Sequence, residues 1–278
     1  MSLSRRRVEP EELDGLAADD PRGRRSRSDL RRVHVAMRSV ANLQRAVARL
    51  RLAVQPRRIL ELGAGDGTLL LRFARVQRPR WNGVELTLLD RVDLVSAGTL
   101  AGYRELGWQV NFLRADALEW AGSRQLRSDE TRTDDDHNRD RSSNDRDDRR
   151  NGDRGYDDGR YDLCFANLFL HHFEPAPLVL LLRAVAAATD AFVACEPRRS
   201  NIARLGSRLI GLLGAGGVTR QDAVKSVAAG FTDRELSTAW STRGGWNLVE
   251  FPAPPFSHCL AAARAKSQPR AGQPQWNV

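Results

Sequence analysis

The chain has 278 residues, a net charge of +9, 41% hydrophobic and 28% charged residues, enough apolar material for one substantial core and not for two full domains. No apolar run reaches the roughly 18 to 20 residues that a membrane-spanning helix needs, and Met1 to Asp14 lacks an apolar signal region, so a soluble, unexported protein is expected. The basic residues are scattered rather than gathered into one stripe, which speaks for a solvated surface and against a nucleic-acid partner.

In chain order, residues 1 to 27 are charged and contain Pro and Gly, and read as a flexible N-terminal segment. Leu30, Val33, Met37, Val40, Leu43, Val47 and Leu50 then recur at helical spacing, predicting one helix over residues 28 to 54 that leads into a main domain over 28 to 265. From Arg57 strand-like and helix-like runs alternate (RRILEL, TLLLRFARV, GVELTLLD, VSAGTLAGYRELG, WQVNFLRAD), the pattern of a parallel sheet with helices on both faces.

Between Gly122 and Arg160 ten Arg face twelve Asp or Glu with almost nothing apolar to bury, so residues 123 to 160 read as a disordered insertion near charge −2. Alternation resumes with YDLCFANLFL (strand), EPAPLVLLLRAVAAAT (helix) and AFVACEP (strand), followed by helical patterns at Ile202 to Leu213, Gln221 to Ala229 and Asp233 to Trp240. WNLVEF and SHCLAAARA, separated by PAPP, suit a terminal antiparallel hairpin, and residues 266 to 278 a flexible tail. Cys164, Cys195 and Cys259 have no C-x-x-C spacing, so neither a disulfide framework nor a zinc site is indicated and a reducing cytoplasm is expected.

The sharpest signal is ILELGAGDGTLLLRFA: an apolar strand, glycines at 63, 65 and 67, and a helix starting at once. A dinucleotide fingerprint would place its third glycine at position 68, which is Thr68, and no Lys-Ser/Thr pair follows to make a phosphate loop. The spacing E-x-G-x-G-x-G resembles motif I of the class I S-adenosylmethionine-dependent methyltransferases. That resemblance implies a Rossmann-like fold: a seven-stranded, mostly parallel sheet with a terminal antiparallel hairpin, helices on both faces and an N-terminal helical lid. It implies S-adenosylmethionine as cofactor, bordered by Glu61, Gly63, Ala64, Gly65 and Gly67, with Asp90 at the position that receives the ribose hydroxyls. Asp116 and Ala117 fall at the adenine position, and Asn167 and Leu168 in the fourth motif that closes the site. A nicotinamide or flavin site remains the competing reading of the same turn.

YDLCFANLFLHHFEP resembles the small-molecule branch, since the N-P-P-Y or D-P-P-Y tetrapeptide of amino-methyltransferases is replaced by Ala166-Asn167-Leu168-Phe169. His171 and His172 are the candidate bases for a hydroxyl acceptor. Glu196, Arg198 and Arg199 either hold a polar substrate or are a strand-end Glu and solvated arginines; His258 reads as structural. No nearby acid completes a ligand set around the histidine pair, so no metal is expected. Residues 10 to 43 and 211 to 236 resemble the lid and substrate cover of bacterial small-molecule methyltransferases, which implies a phenolic, quinone or polyketide-like acceptor. Action on nucleic acid or protein, and a non-catalytic S-adenosylmethionine-binding protein, are the alternatives.

Overall fold

The computed structural model describes residues 3–78, 80–124, 160–240 and 244–265. Helices α1 (Pro21–Ala36) and α2 (Ser39–Leu50) precede β1 (Arg58–Leu62), α3 (Thr68–Gln77), β2 (Glu85–Asp90), α4 (Ala97–Glu105) and β3 (Gln109–Arg114). A helix, α5, covers residues 117–124. Then come β4 (Leu163–Asn167), α6 (Pro175–Ala188), β5 (Ala191–Pro197), α7 (Asn201–Leu209), α8 (Gly217–Ala229), α9 (Glu235–Ala239), β6 (Trp246–Ala253) and β7 (Ser257–Arg264). Most of the expected insertion and the whole tail lie outside the described residues.

The strands form one seven-stranded sheet in the order β3-β2-β1-β4-β5-β7-β6. The first five are parallel, while β7 runs antiparallel to both β5 and β6. The expected doubly covered sheet and terminal hairpin are therefore present. Period-2 alternation sorts the buried residues to two faces: Ile59, Leu163, Phe165 and Val193 pack beneath α2, α3 and α4, and Leu60, Leu62, Cys164 and Phe192 beneath α5, α6 and α9. After β1 the chain moves outward through β2 and β3, whereas β4 returns to the other side of β1. The β1/β4 junction is thus the topological switch point, where helices on opposite faces leave a crevice beyond the strands' carboxyl ends.

Two expectations are corrected at the N-terminus. The helix expected over 28 to 54 is two helices, because Arg38 adopts a left-handed backbone (φ 55°) and reverses the chain between α1 and α2. The segment expected to be flexible, 1 to 27, is packed from residue 3 onward: α1 starts at Pro21 behind an Asp20 cap, and Asp222 of α8 accepts the backbone N–H groups of Glu12 and Leu13 at 2.8 and 2.9 Å. Arg6 likewise donates to the Ala229 and Phe173 carbonyls at 2.9 and 3.0 Å. The cysteines, distant in sequence, also meet in part: Cys195 and Cys259 are cross-strand partners on β5 and β7, two buried free thiols with Sγ atoms 2.7 Å apart.

Asp29 joins α1 to α8. Its carboxylate, 1% exposed, accepts the Gly216 N–H at 2.7 Å and the Thr219 hydroxyl at 3.0 Å and pairs with Arg32. Asp29→Ala strands these donors in a buried place, so it should lower stability by about 2 kcal/mol and the melting temperature by about 4 to 8 °C, with Asp29→Asn between the two. Thermal denaturation followed by circular dichroism checks this; an unchanged midpoint would show that α1 is not fastened through Asp29.

Candidate functional site

A cavity of about 780 Å³ opens at the switch point. Its floor is the turn after β1, where Gly63, Gly65 and Gly67 have φ of 65°, 56° and 68°, a region that side chains rarely tolerate. A Cβ on Gly63 would sit 2.2 Å from the Phe169 ring, and one on Gly65 would point into open space within the cavity. The turn is tied to β2 by the Ala64 N–H to the Leu89 carbonyl (3.1 Å) and the Gly65 N–H to the Asp90 carboxylate (2.9 Å).

Glu61, Gly63, Ala64, Gly65, Asp90, Asp116, Ala117, Asn167, Leu168, His171 and His172 all line this one cavity. Gly67 does not. It faces Leu88, its carbonyl accepts the buried Tyr103 hydroxyl at 2.9 Å, and it caps the start of α3.

The turn gathers three acids, Glu61, Asp66 and Asp90, of which Asp66 is paired with Arg31 at 3.4 Å. Burial first, and then the charges of Asp66 and Asp90, push Glu61 well above the usual carboxylate range. Its Oε2 is buried without a hydrogen-bond partner, as is Nδ2 of Asn167. Buried polar atoms of this kind are rare unless a ligand completes them, and a cationic ligand would let Glu61 ionise.

The second polar group follows β4. Leu168 takes a left-handed backbone (φ 51°), and the 3₁₀ turn Leu170–His172 begins directly after Phe169. Glu196, at the end of β5 and fully buried, accepts the backbone N–H groups of Phe169, Leu170 and His171 at 3.1, 3.0 and 3.3 Å and meets Nδ1 of His171 at 2.8 Å. With a carboxylate beside it, Nδ1 carries a proton and donates to Glu196. Nδ1 of His172 likewise faces the Phe169 carbonyl at 2.9 Å. Glu196 therefore positions this loop and does not reach the cavity. Arg199 is also internal: buried, it forms a two-pronged pair with Glu235 at 2.6 and 3.0 Å, while Arg198 is exposed. His258 pairs with Glu250 at 2.8 Å, in keeping with a structural role.

The expectation that no acid accompanies the histidine pair is corrected. Glu11, brought over by the N-terminal segment, lies 3.4 Å from Nε2 of both His171 and His172, with Asp14 3.7 Å from His172. Burial pushes the Glu11 carboxyl up, but the two imidazoles outweigh this and hold it below the usual range. Burial pushes His172 down, yet Glu11, then Asp14 and the Phe169 carbonyl, raise it to about 9. The roof is formed by α1, through Leu30, Val33 and His34, by Met37 just after it, and by residues of α7 and α8. Glu11, Asp14 and His34 were missed in the sequence because only tertiary packing brings them to the crevice, whereas Asp66 lies within the glycine turn itself and was passed over there.

No protein-family model and no curated protein matches the chain in sequence. Its fold, however, is similar to that of the plantazolicin methyltransferase BpumL in complex with SAH, at 15% identity over 89% of this chain and 92% of that one, with a TM-score of 0.52. The chain shares the Rossmann-like fold of that structure. The same fold appears in the pyocyanin biosynthetic protein PhzM (17% identity, TM-score 0.51) and the mitomycin 7-O-methyltransferase MmcR (15%, 0.50). This chain is covered to 92% and 91% in those pairs but spans only 62% and 60% of theirs.

Replacing Glu196 by Ala leaves three buried N–H groups and an imidazole without their acceptor. The expected loss is about 3 kcal/mol or more, with Glu196→Gln losing less because one oxygen remains. Urea unfolding reads it; a change within about 0.5 kcal/mol for the Ala variant would mean that the loop is held by something else.

Proposed function

We propose that the protein is an S-adenosylmethionine-dependent methyltransferase acting on a small-molecule acceptor. The observation that carries this reading is the turn after β1: an uncompensated buried carboxylate, Glu61, beside left-handed glycines that open onto the cavity, with Asp90 at the tip of the adjacent strand. A sulfonium amino acid fused to a nucleoside fits this donor set, because one end is cationic and the middle offers two hydroxyl donors. A pyrophosphate would bring further negative charge to a place that already holds Glu61, Asp66 and Asp90. BpumL, the similar structure of nearly the same length, binds SAH and has also been solved with a monoazolic desmethylPZN analog.

In this reading Glu61 balances the amino group, and Gly63, Ala64 and Gly65 let the backbone come close to the methionine part. Each oxygen of the Asp90 carboxylate already accepts one backbone N–H, from Gly65 and Val92, which fixes its direction while leaving lone pairs for the ribose. Asp116, held by the Leu118 N–H at 2.7 Å, and Ala117 flank the adenine, with Asn167 and Leu168 closing the site. The cofactor supplies an electrophilic methyl group, and the protein's task is to align the acceptor and handle its proton. His171 and His172 lie in the same cavity, at the polar end where that proton leaves. The apolar roof from α1 and α7 suits a phenolic, quinone or polyketide-like acceptor better than a polyanion. Three buried free cysteines go with a cytoplasmic setting.

Asp90→Ala should weaken S-adenosylmethionine binding by about 1.5 to 3 kcal/mol, the range for lost hydrogen bonds to a charged group, and NAD should not bind. Calorimetric titration with both compounds tests the cofactor, and a labelled-methyl screen of phenols and quinones tests the acceptor. Preference for NAD, or unaltered affinity in the variant, would refute the reading.

A further inference from the structure

The cluster at the polar end of the cavity poses a problem of donors. Glu196 fixes the His171 tautomer with the proton on Nδ1, and the Phe169 carbonyl fixes His172 in the same way. Both Nε2 atoms then face the Glu11 carboxylate, His171 towards Oε1 and His172 towards Oε2, each at 3.4 Å. His171 is 3% exposed, and its Nε2 is buried without a hydrogen-bond partner, although Glu11 Oε1 stands 3.4 Å away. The ligating atoms of Glu11, His171 and His172 all lie within 4.8 Å of one another. Two imidazole nitrogens and a carboxylate that converge across a mostly buried gap are joined by a cation, be it protons or a metal ion.

We propose that Glu11, His171 and His172 form a binding site for a divalent transition-metal ion of the zinc type. Two imidazoles and one carboxylate are the ligands such ions prefer, in contrast to the all-oxygen sets of magnesium and calcium. Two ligand atoms each about 2.0 to 2.1 Å from a tetrahedral ion stand about 3.3 Å apart, and the two Nε2 to Glu11 separations are both 3.4 Å. The outer layer is also present. A histidine that binds metal donates its other N–H to a carboxylate or a carbonyl, as His171 does to Glu196 and His172 to Phe169. Asp14, 3.7 Å from His172 and half exposed, stands where a fourth ligand or a water would complete the set.

This site does not depend on which cofactor fills the other end of the cavity. It has two consequences. The ion would clasp the N-terminal segment, which carries Glu11, to the loop after β4. It would also present an open position to the cavity, where an acceptor oxygen could bind and lose its proton more readily, the two rings then acting as ligands rather than as bases.

The test is titration of the full-length, chelator-treated protein with cobalt(II) chloride, followed by its visible absorption and by competition with zinc, with S-adenosylmethionine affinity measured on the same sample. One equivalent of cobalt should bind and produce the intense bands of a four- or five-coordinate site, displaced by zinc. Glu11→Gln, which keeps size and removes the charge, and His172→Asn should each weaken binding at least about tenfold and abolish the metal-induced rise in melting temperature. Both should fold, since neither side chain is fully buried. Absence of stoichiometric cobalt binding, or equal binding by both variants, overturns the proposal and means that protons fill the gap. S-adenosylmethionine binding with no metal refutes the metal site alone, and metal binding with no S-adenosylmethionine refutes the cofactor reading alone.

Discussion

The crevice depends on a buried carboxylate that acts as an anchor for backbone. Glu196 stands at the end of β5 with no exposure to water, a position that is costly for a carboxyl group unless several donors point at it. Three consecutive N–H groups and one imidazole do so. The arrangement decides which way the chain leaves β4: once Phe169, Leu170 and His171 must turn their N–H groups to one point, Leu168 is driven into the left-handed region and the histidine pair faces the cavity. Phe169 in turn lies so close to the β1 turn that position 63 admits only glycine. The floor of the cavity and its polar end are therefore fixed together.

The same device recurs wherever an element distant in sequence must be held. Asp222 holds the backbone of Glu12 and Leu13, Asp29 the start of α8, Glu250 the backbone of Leu236 and Ser237, and Asp162 the N–H groups of Arg57 and Arg58 ahead of β1. In each case one acid satisfies two donors or more at a chain end or a helix start, where backbone groups lack partners of their own. Because these four acids are bonded to backbone, their geometry is specified more sharply than that of a surface ion pair.

How much of this could be read from residues alone follows from the range of each interaction. The sheet was legible because its signals are local: apolar runs of strand length, glycines at a strand's end, a helix beginning at once. The turn at 63 to 67 was legible for the same reason, and so were Asp90, Asp116 and Asn167, each at a strand's carboxyl end. Gly67 was placed beside the ligand by spacing, yet its neighbours are Leu88 and Tyr103, a packing constraint that the spacing does not encode. The N-terminal segment was misjudged because composition weighs charge without knowing its partners. Arg, Glu and Asp over residues 3 to 20 look like solvated chain until Asp222 is brought alongside. The helix break at Arg38 carries no proline or glycine to announce it.

Glu11 is the sharpest case, because its chemistry depends on two distant contacts. Its side chain reaches the histidine pair only because the next two residues, Glu12 and Leu13, are pinned by Asp222, and because α8 is itself fastened to α1 through Asp29. The acid that accompanies His171 and His172 is thus supplied by the lid and not by the sheet. Opening of the N-terminal segment would remove Glu11 from the two rings and expose the cavity in one motion. Closing it restores the charge that they face. The state of the lid and the electrostatics of the polar end are in this way one variable, and whatever cation sits between Glu11 and the imidazoles favours the closed form by its differential affinity for it.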